Sequence, residues 1–95
     1  MNVVYISIGN SDDKLTQAEW ADFYQRTADL IEAYTHLVHG VWMSAATSQY
    51  QNACWAVVPF PKPIIEFKAE LSRLGKIFAQ DSIAWAECPE TEFLS

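Results

Sequence analysis

The chain is poor in positive charge: 6 Lys and Arg stand against 12 Asp and Glu, for a net charge of −6 at pH 7. Binding to nucleic acid phosphates depends on clustered Lys and Arg that release counterions, so DNA, RNA and anionic membranes are not expected partners. No apolar run reaches the length that spans a bilayer. Residues Met1 to Ile8 lack a basic n-region and are soon followed by Asp12 and Asp13, which does not read as a signal peptide. Only two cysteines occur, Cys54 and Cys88, and there is no N-x-S/T sequon. Nothing asks for secretion, and the cytoplasm is the expected compartment. Ser, His and Asp are present, but in no order that resembles a nucleophile elbow or a triad. Internal repeats and low-complexity tracts are absent as well.

What remains is apolar and aromatic. Of 95 residues, 51% are hydrophobic and 14% aromatic, well clear of disordered composition. The length suits one small domain, residues 1–95, with a core of its own. Residues 3 to 9 form a β-branched, alternating run that ends at the turn formers Gly9-Asn10-Ser11-Asp12-Asp13, which predicts a strand and its exit loop. Thr16-Gln17-Ala18-Glu19 fits a capping box, with Leu15 and Trp20 at the staple positions. Trp20, Phe23, Tyr24, Thr27, Leu30, Ile31 and Tyr34 then recur at helical spacing.

Residues 36 to 45 and 52 to 58 are rich in β-formers and joined by Thr47-Ser48-Gln49-Tyr50-Gln51, as in a hairpin. Pro59, Pro61 and Pro63 end the sheet region, and Pro63 suits the first turn of the next helix. Ile64, Phe67, Leu71, Leu74 and Phe78 define that helix, with Gly75 marking its exit. Ser82 to Ala86 reads as a short last strand closed by Pro89, and the tail Glu90 to Ser95 is left to fray or dock. The order β-α-β-β-α-β resembles the ferredoxin-like fold, an α+β class with an antiparallel four-stranded sheet in order 4-1-3-2 and two helices on one face.

That fold leaves one sheet face open, and a face in water should alternate apolar with charged residues. The strands do not. Val3, Tyr5 and Ser7 oppose Val4, Ile6 and Ile8, and Cys54, Ala56 and Val58 oppose Ala53, Trp55 and Val57. Thr35 through Pro61 contains no Asp, Glu, Lys or Arg while holding Trp42, Met43, Tyr50, Trp55 and Phe60. Aromatic residues and Met without charge are the composition of an interface core, so self-association or a protein partner through the sheet is the expectation.

Candidate chemistry is sparse. His36 and His39 resemble a chelating pair, but their odd separation on a strand sends them to opposite faces, and a zinc site wants three or four ligands; no metal and no cofactor are implied. Cys54 and Cys88 fall on strands separated by the first, too far apart for a disulfide, and read as small buried hydrophobes. Asn10 to Asp13 lack the spacing of a phosphate loop or an EF-hand, and an Asx turn leading into the capping box accounts for them. Trp42, Trp55 and Trp85, with Tyr5, His39 and Asn52 as polar contributors, form the candidate binding set for a small aromatic ligand or an interface.

The strings Ile8-Gly9-Asn10-Ser11-Asp12-Asp13-Lys14-Leu15 and Gln80-Asp81-Ser82-Ile83-Ala84-Trp85-Ala86 are similar to those in short uncharacterised proteins of actinobacteria and their phages. The resemblance supplies no activity; the uncharged aromatic hairpin points to a small non-catalytic binding or regulatory protein, and a phage setting would narrow that to an inhibitor of host defence. Length and two-sided apolar strands also resemble dimeric α+β-barrel proteins, some of them cofactor-free monooxygenases, which implies the alternative of an enzyme that encloses a pocket between paired sheets.

Overall fold

The structure, a computed structural model, describes residues 2–90 and 92–94, so Met1 and, from the tail, Thr91 and Ser95 lie outside the described residues. Its elements are β1 Val3–Gly9, a single 3-10 turn at Ser11–Asp13, α1 Gln17–Tyr34, β2 Thr35–Met43, β3 Asn52–Pro59, α2 Ile64–Ile77 and β4 Ala84–Cys88. All neighbouring strands are antiparallel and the sheet order is β2-β3-β1-β4, which is the expected 4-1-3-2 read from the other edge.

Helix α1 begins where the sequence pattern places it. Thr16 Oγ1 accepts from the Glu19 N–H at 3.2 Å, and Glu19 Oε1 accepts from the Thr16 N–H at 2.9 Å. The bond from the Thr16 N–H favours the carboxylate, so the Glu19 pKa lies below its usual value. The helix ends without a loop: Thr35 leaves helical geometry at once, and its hydroxyl donates to the Ile31 carbonyl at 2.7 Å, satisfying one orphan acceptor. Strand β2 therefore starts at Thr35, one residue before the sequence pattern suggests, and the hairpin connection is longer, from Ser44 to Gln51.

One core cluster holds Val4, Ile6 and Ile8 of β1, Ala53, Trp55 and Val57 of β3, and buried residues of both helices, among them Phe23, Ile31, Phe67 and Leu71. Only alternate strand residues join it, so both helices lie on the same sheet face. Ring stacking clasps the antiparallel helices at both ends: Phe23 lies 4.9 Å from Phe78, and Tyr34 lies 5.0 Å from Phe67. Phe23 and Phe67 are fully buried, which is worth roughly 1.5–3 kcal/mol each. Glu66 hydrogen-bonds the Tyr34 hydroxyl across the same seam and raises its pKa above the ordinary tyrosine value.

Helix α2 departs from expectation at both ends. Pro63 stands at the N-cap in extended geometry, where its carbonyl accepts from the Phe67 N–H at 3.0 Å. Gly75 does not end the helix, which continues to Ile77. Gly75 is buried instead, and a Cβ there would meet Ile83 Cγ1 at 3.4 Å. The exit is made by Ala79, at φ 56°, with Ala79 N–H donating to Lys76 O at 3.0 Å and Gln80 N–H to Gly75 O at 2.9 Å, the double bond of a Schellman turn. That turn takes up the chain through Ile83, so β4 begins at Ala84 and runs to Cys88, later than the expected 82 to 86.

Candidate functional site

Strand parity decides what each sheet face carries. Residues paired across strands share a face, and the register draws the helix-free face as rows. Trp42, Cys54, Ser7 and Ala84 form one row across all four strands, and Gly40, Ala56, Tyr5 and Ala86 form the next. Leu37 pairs with Val58, and Val3 with Cys88, on the same face. None of these twelve side chains is charged. Val58 supports the assignment: it is only 8% exposed yet absent from the helix-side core cluster, in keeping with a place on the other face opposite Leu37.

The face has relief. Trp42 is 60% exposed, and Tyr5 and Leu37 are each 43% exposed. Beside them stand Gly40, Cys54, Ala56, Ala84 and Ala86, whose side chains are small or absent. Large rings next to small residues, with no charge among them, match the composition of interface cores.

The six candidate binding residues divide between the two faces. Tyr5 and Trp42 stand on the helix-free face. Asn52 opens β3 opposite Gly9, with its side-chain amide donating to the Tyr50 carbonyl at 2.8 Å; a Cβ at Gly9 would come within 2.9 Å of Asn52 Oδ1. Trp55 and Trp85 both pair with Ile6 and face the helices, Trp55 stacked at 5.1 Å on Tyr24 and Trp85 edge-on at 5.4 Å to Phe67. His39 is the extra residue of a β-bulge between Val38 and Gly40, and His36 is the extra residue of another between Thr35 and Leu37. The bulges interrupt the regular alternation that would send the two imidazoles to opposite faces. Leu37, Ser7, Cys54 and Ala56 join the face although the candidate set omitted them; in β1 and β3 their parity with Tyr5 was the available signal.

Cys54 and Cys88 are free thiols; Cys54 lies opposite Ser7 and Cys88 opposite Val3, four positions apart along β1. Among the described residues no group of three His, Cys, Asp or Glu side chains is placed to hold a metal ion, and no helix is long and apolar enough to cross a membrane. The Asn10 loop is internally satisfied: Asn10 Oδ1 accepts from the Leu15 N–H at 2.9 Å and Asn10 Nδ2 donates to the Leu15 carbonyl at 3.1 Å.

Four antiparallel strands in this order, with both helices on one face, define a ferredoxin-like α+β domain. No protein-family model and no curated protein matches the chain. Among solved structures it is similar to a dimeric ferredoxin-like protein of unknown function from Thermobifida fusca, at 13% identity and a TM-score of 0.56, over 93% of this chain and 90% of that one. At that identity the likeness shows the fold.

Proposed function

We propose that the chain is a non-catalytic binding or regulatory domain that pairs with a second copy through its helix-free sheet face. The observation that carries this reading is the set of uncharged rows across all four strands, with Trp42 and Tyr5 standing above small neighbours. A two-fold axis along the strands sets β2 of one copy over β4 of the other, and Trp42 then enters the depression at Ala84 and Ala86 of the second copy. The dimeric state named for the Thermobifida fusca protein is consistent with such pairing on this fold.

Size sets the strength. Four strands at a spacing of roughly 4.8 Å, with about six paired residues each at roughly 3.3 Å, give a footprint on the order of 400 Å² per copy. Stable interfaces cover about 800 Å² of accessible surface per partner, so a flat contact would be weak and the projecting Trp42 must be covered as well. Trp42→Ala is accordingly expected to weaken the dimer at least tenfold, about 1.4 kcal/mol, in sedimentation equilibrium. A Trp42→Ala dimer as tight as the parent would contradict the docking of that ring.

The similarity of the two loop strings to short actinobacterial and phage proteins supports a narrower form, an inhibitor of a host defence protein, with the net charge of −6 suited to a basic target. Defence genes beside its gene would favour that form, and genes for the oxidation of small aromatic molecules would favour the enzyme alternative. A dimeric α+β-barrel enzyme would use the same paired face, with Tyr5, Ser7 and Cys54 as the polar groups meeting a ligand between the sheets.

A further inference from the structure

On the helix side of the sheet, α2 and the segment running into β4 enclose a groove of about 450 Å³. Its α2 wall carries Lys68, Ser72 and Lys76. Their spacing of four puts them in one row on the helix surface. Leu71 of the same helix, with Ile83 and Trp85 across from it, makes an apolar lining. The size falls within the range of small-ligand sites, roughly 300–1,000 Å³.

Charge distinguishes this groove from the rest of an acidic molecule. Arg26 is paired with Asp22, Arg73 with Glu70, and Lys14 lies 4.0 Å from both Asp12 and Asp81. Among the described residues, no carboxylate lies within ion-pair distance of Lys68 or Lys76, nor of Lys62, which is outside the groove. Asp81 is the one carboxylate in the lining, and Lys14 offsets it. Lys68 Nζ already stands 4.9 Å from the Trp85 ring centre, while the indole N–H is taken by Glu87 at 3.2 Å. The ammonium group covers a face of the indole, so a flat ligand that stacks there displaces it, and the flexible Lys68 stem carries it to the ligand's anion. The flexible four-carbon stems of both lysines let their ammonium groups converge above Ser72, which lies midway between them.

Gly75 also lines the groove, and a Cβ there would stand in ordinary contact with Ile83 Cγ1 at 3.4 Å.

We infer that the groove between α2 and β4 binds a small aryl carboxylate, its flat apolar body against Trp85 and Ile83 and its carboxylate between Lys68 and Lys76. The site is on the helix side and independent of sheet-face pairing, so a monomer that binds such a ligand would overturn the dimer and leave this inference standing.

The test is a titration of the isotope-labelled protein with 1-naphthoate and, separately, with the neutral 1-naphthamide, followed by amide NMR shifts. Saturable shifts centred on Ser72, Gly75 and Ile83 are expected for the naphthoate. Affinity is expected to fall about tenfold for the amide, and about tenfold again for the naphthoate when Lys68→Gln and Lys76→Gln are combined, as charge-assisted bonds are lost. Equal affinity for the two compounds would overturn the inference. So would shifts centred on Tyr5 and Ala56, or none up to millimolar concentration.

Discussion

Asn10 is 2% exposed, and its amide bonds both backbone groups of Leu15 while its own N–H reaches the Gln51 carbonyl at 2.9 Å. The side chain thus holds the β1–α1 connection closed, and the backbone N–H of the same residue ties it to the β2–β3 loop. Asn10→Ala would leave buried backbone groups without partners, and a loss of about 2–3 kcal/mol is expected in urea unfolding. Asn10→Asp keeps the acceptor but loses the donor and faces Asp13, so it is expected to fall between the two proteins. Ala79 has the opposite balance. Its left-handed φ of 56° is strained for any residue with a Cβ, and nothing about its methyl group is needed by the turn. Ala79→Gly is expected to stabilise the protein by about 0.5–1 kcal/mol in the same measurement.

Among the elements, α1 carries the pH dependence. The folded Glu19 pKa is lowered from 4.5, so the stability it contributes is fully present above that value and is lost as pH falls through the lowered folded value. Glu19→Gln is expected to flatten the urea midpoint against pH across this acid range while leaving the slope near neutrality unchanged; an unaltered acid slope would show that the box does not hold in solution. Tyr34 has the reverse sign: its raised pKa means that the bond to Glu66 contributes below the ordinary tyrosine value and is lost as pH rises through the folded one. Helix α1 and strand β1 were legible in the sequence because cap, stripe and alternation are local signals. Strand β2 was legible as a strand but its facing was not, since the bulges at His36 and His39 shift its parity twice, and only pairing with β3 reveals that Leu37, Gly40 and Trp42 share a face. The start of β4 was hidden for a different reason. Ala79 adopts a conformation that sequence patterns assign to Gly, so Gly75 drew the helix exit to itself.

At the scale of the whole molecule, two surfaces have separate logic. The groove beside Trp85 gathers two of the six basic residues, a charge signal invisible to periodicity because Lys68, Ser72 and Lys76 read as the solvated side of an amphipathic helix. The helix-free face was legible as a composition, the charge-free span from Thr35 to Pro61, but its four-stranded extent needed the register that brings Tyr5, Ala84 and Ala86 beside it. Ala56 lies on that face between Gly40 and Tyr5, open enough to accept a longer side chain in a lone protomer. The most direct test is therefore light scattering of the parent protein and of Ala56→Glu at micromolar concentration, with circular dichroism confirming that both are folded. The parent is expected at twice the protomer mass and the variant at the protomer mass, because a carboxylate would be buried unpaired at the centre of the interface. A folded parent at the protomer mass, or a variant that remains dimeric, would contradict the account.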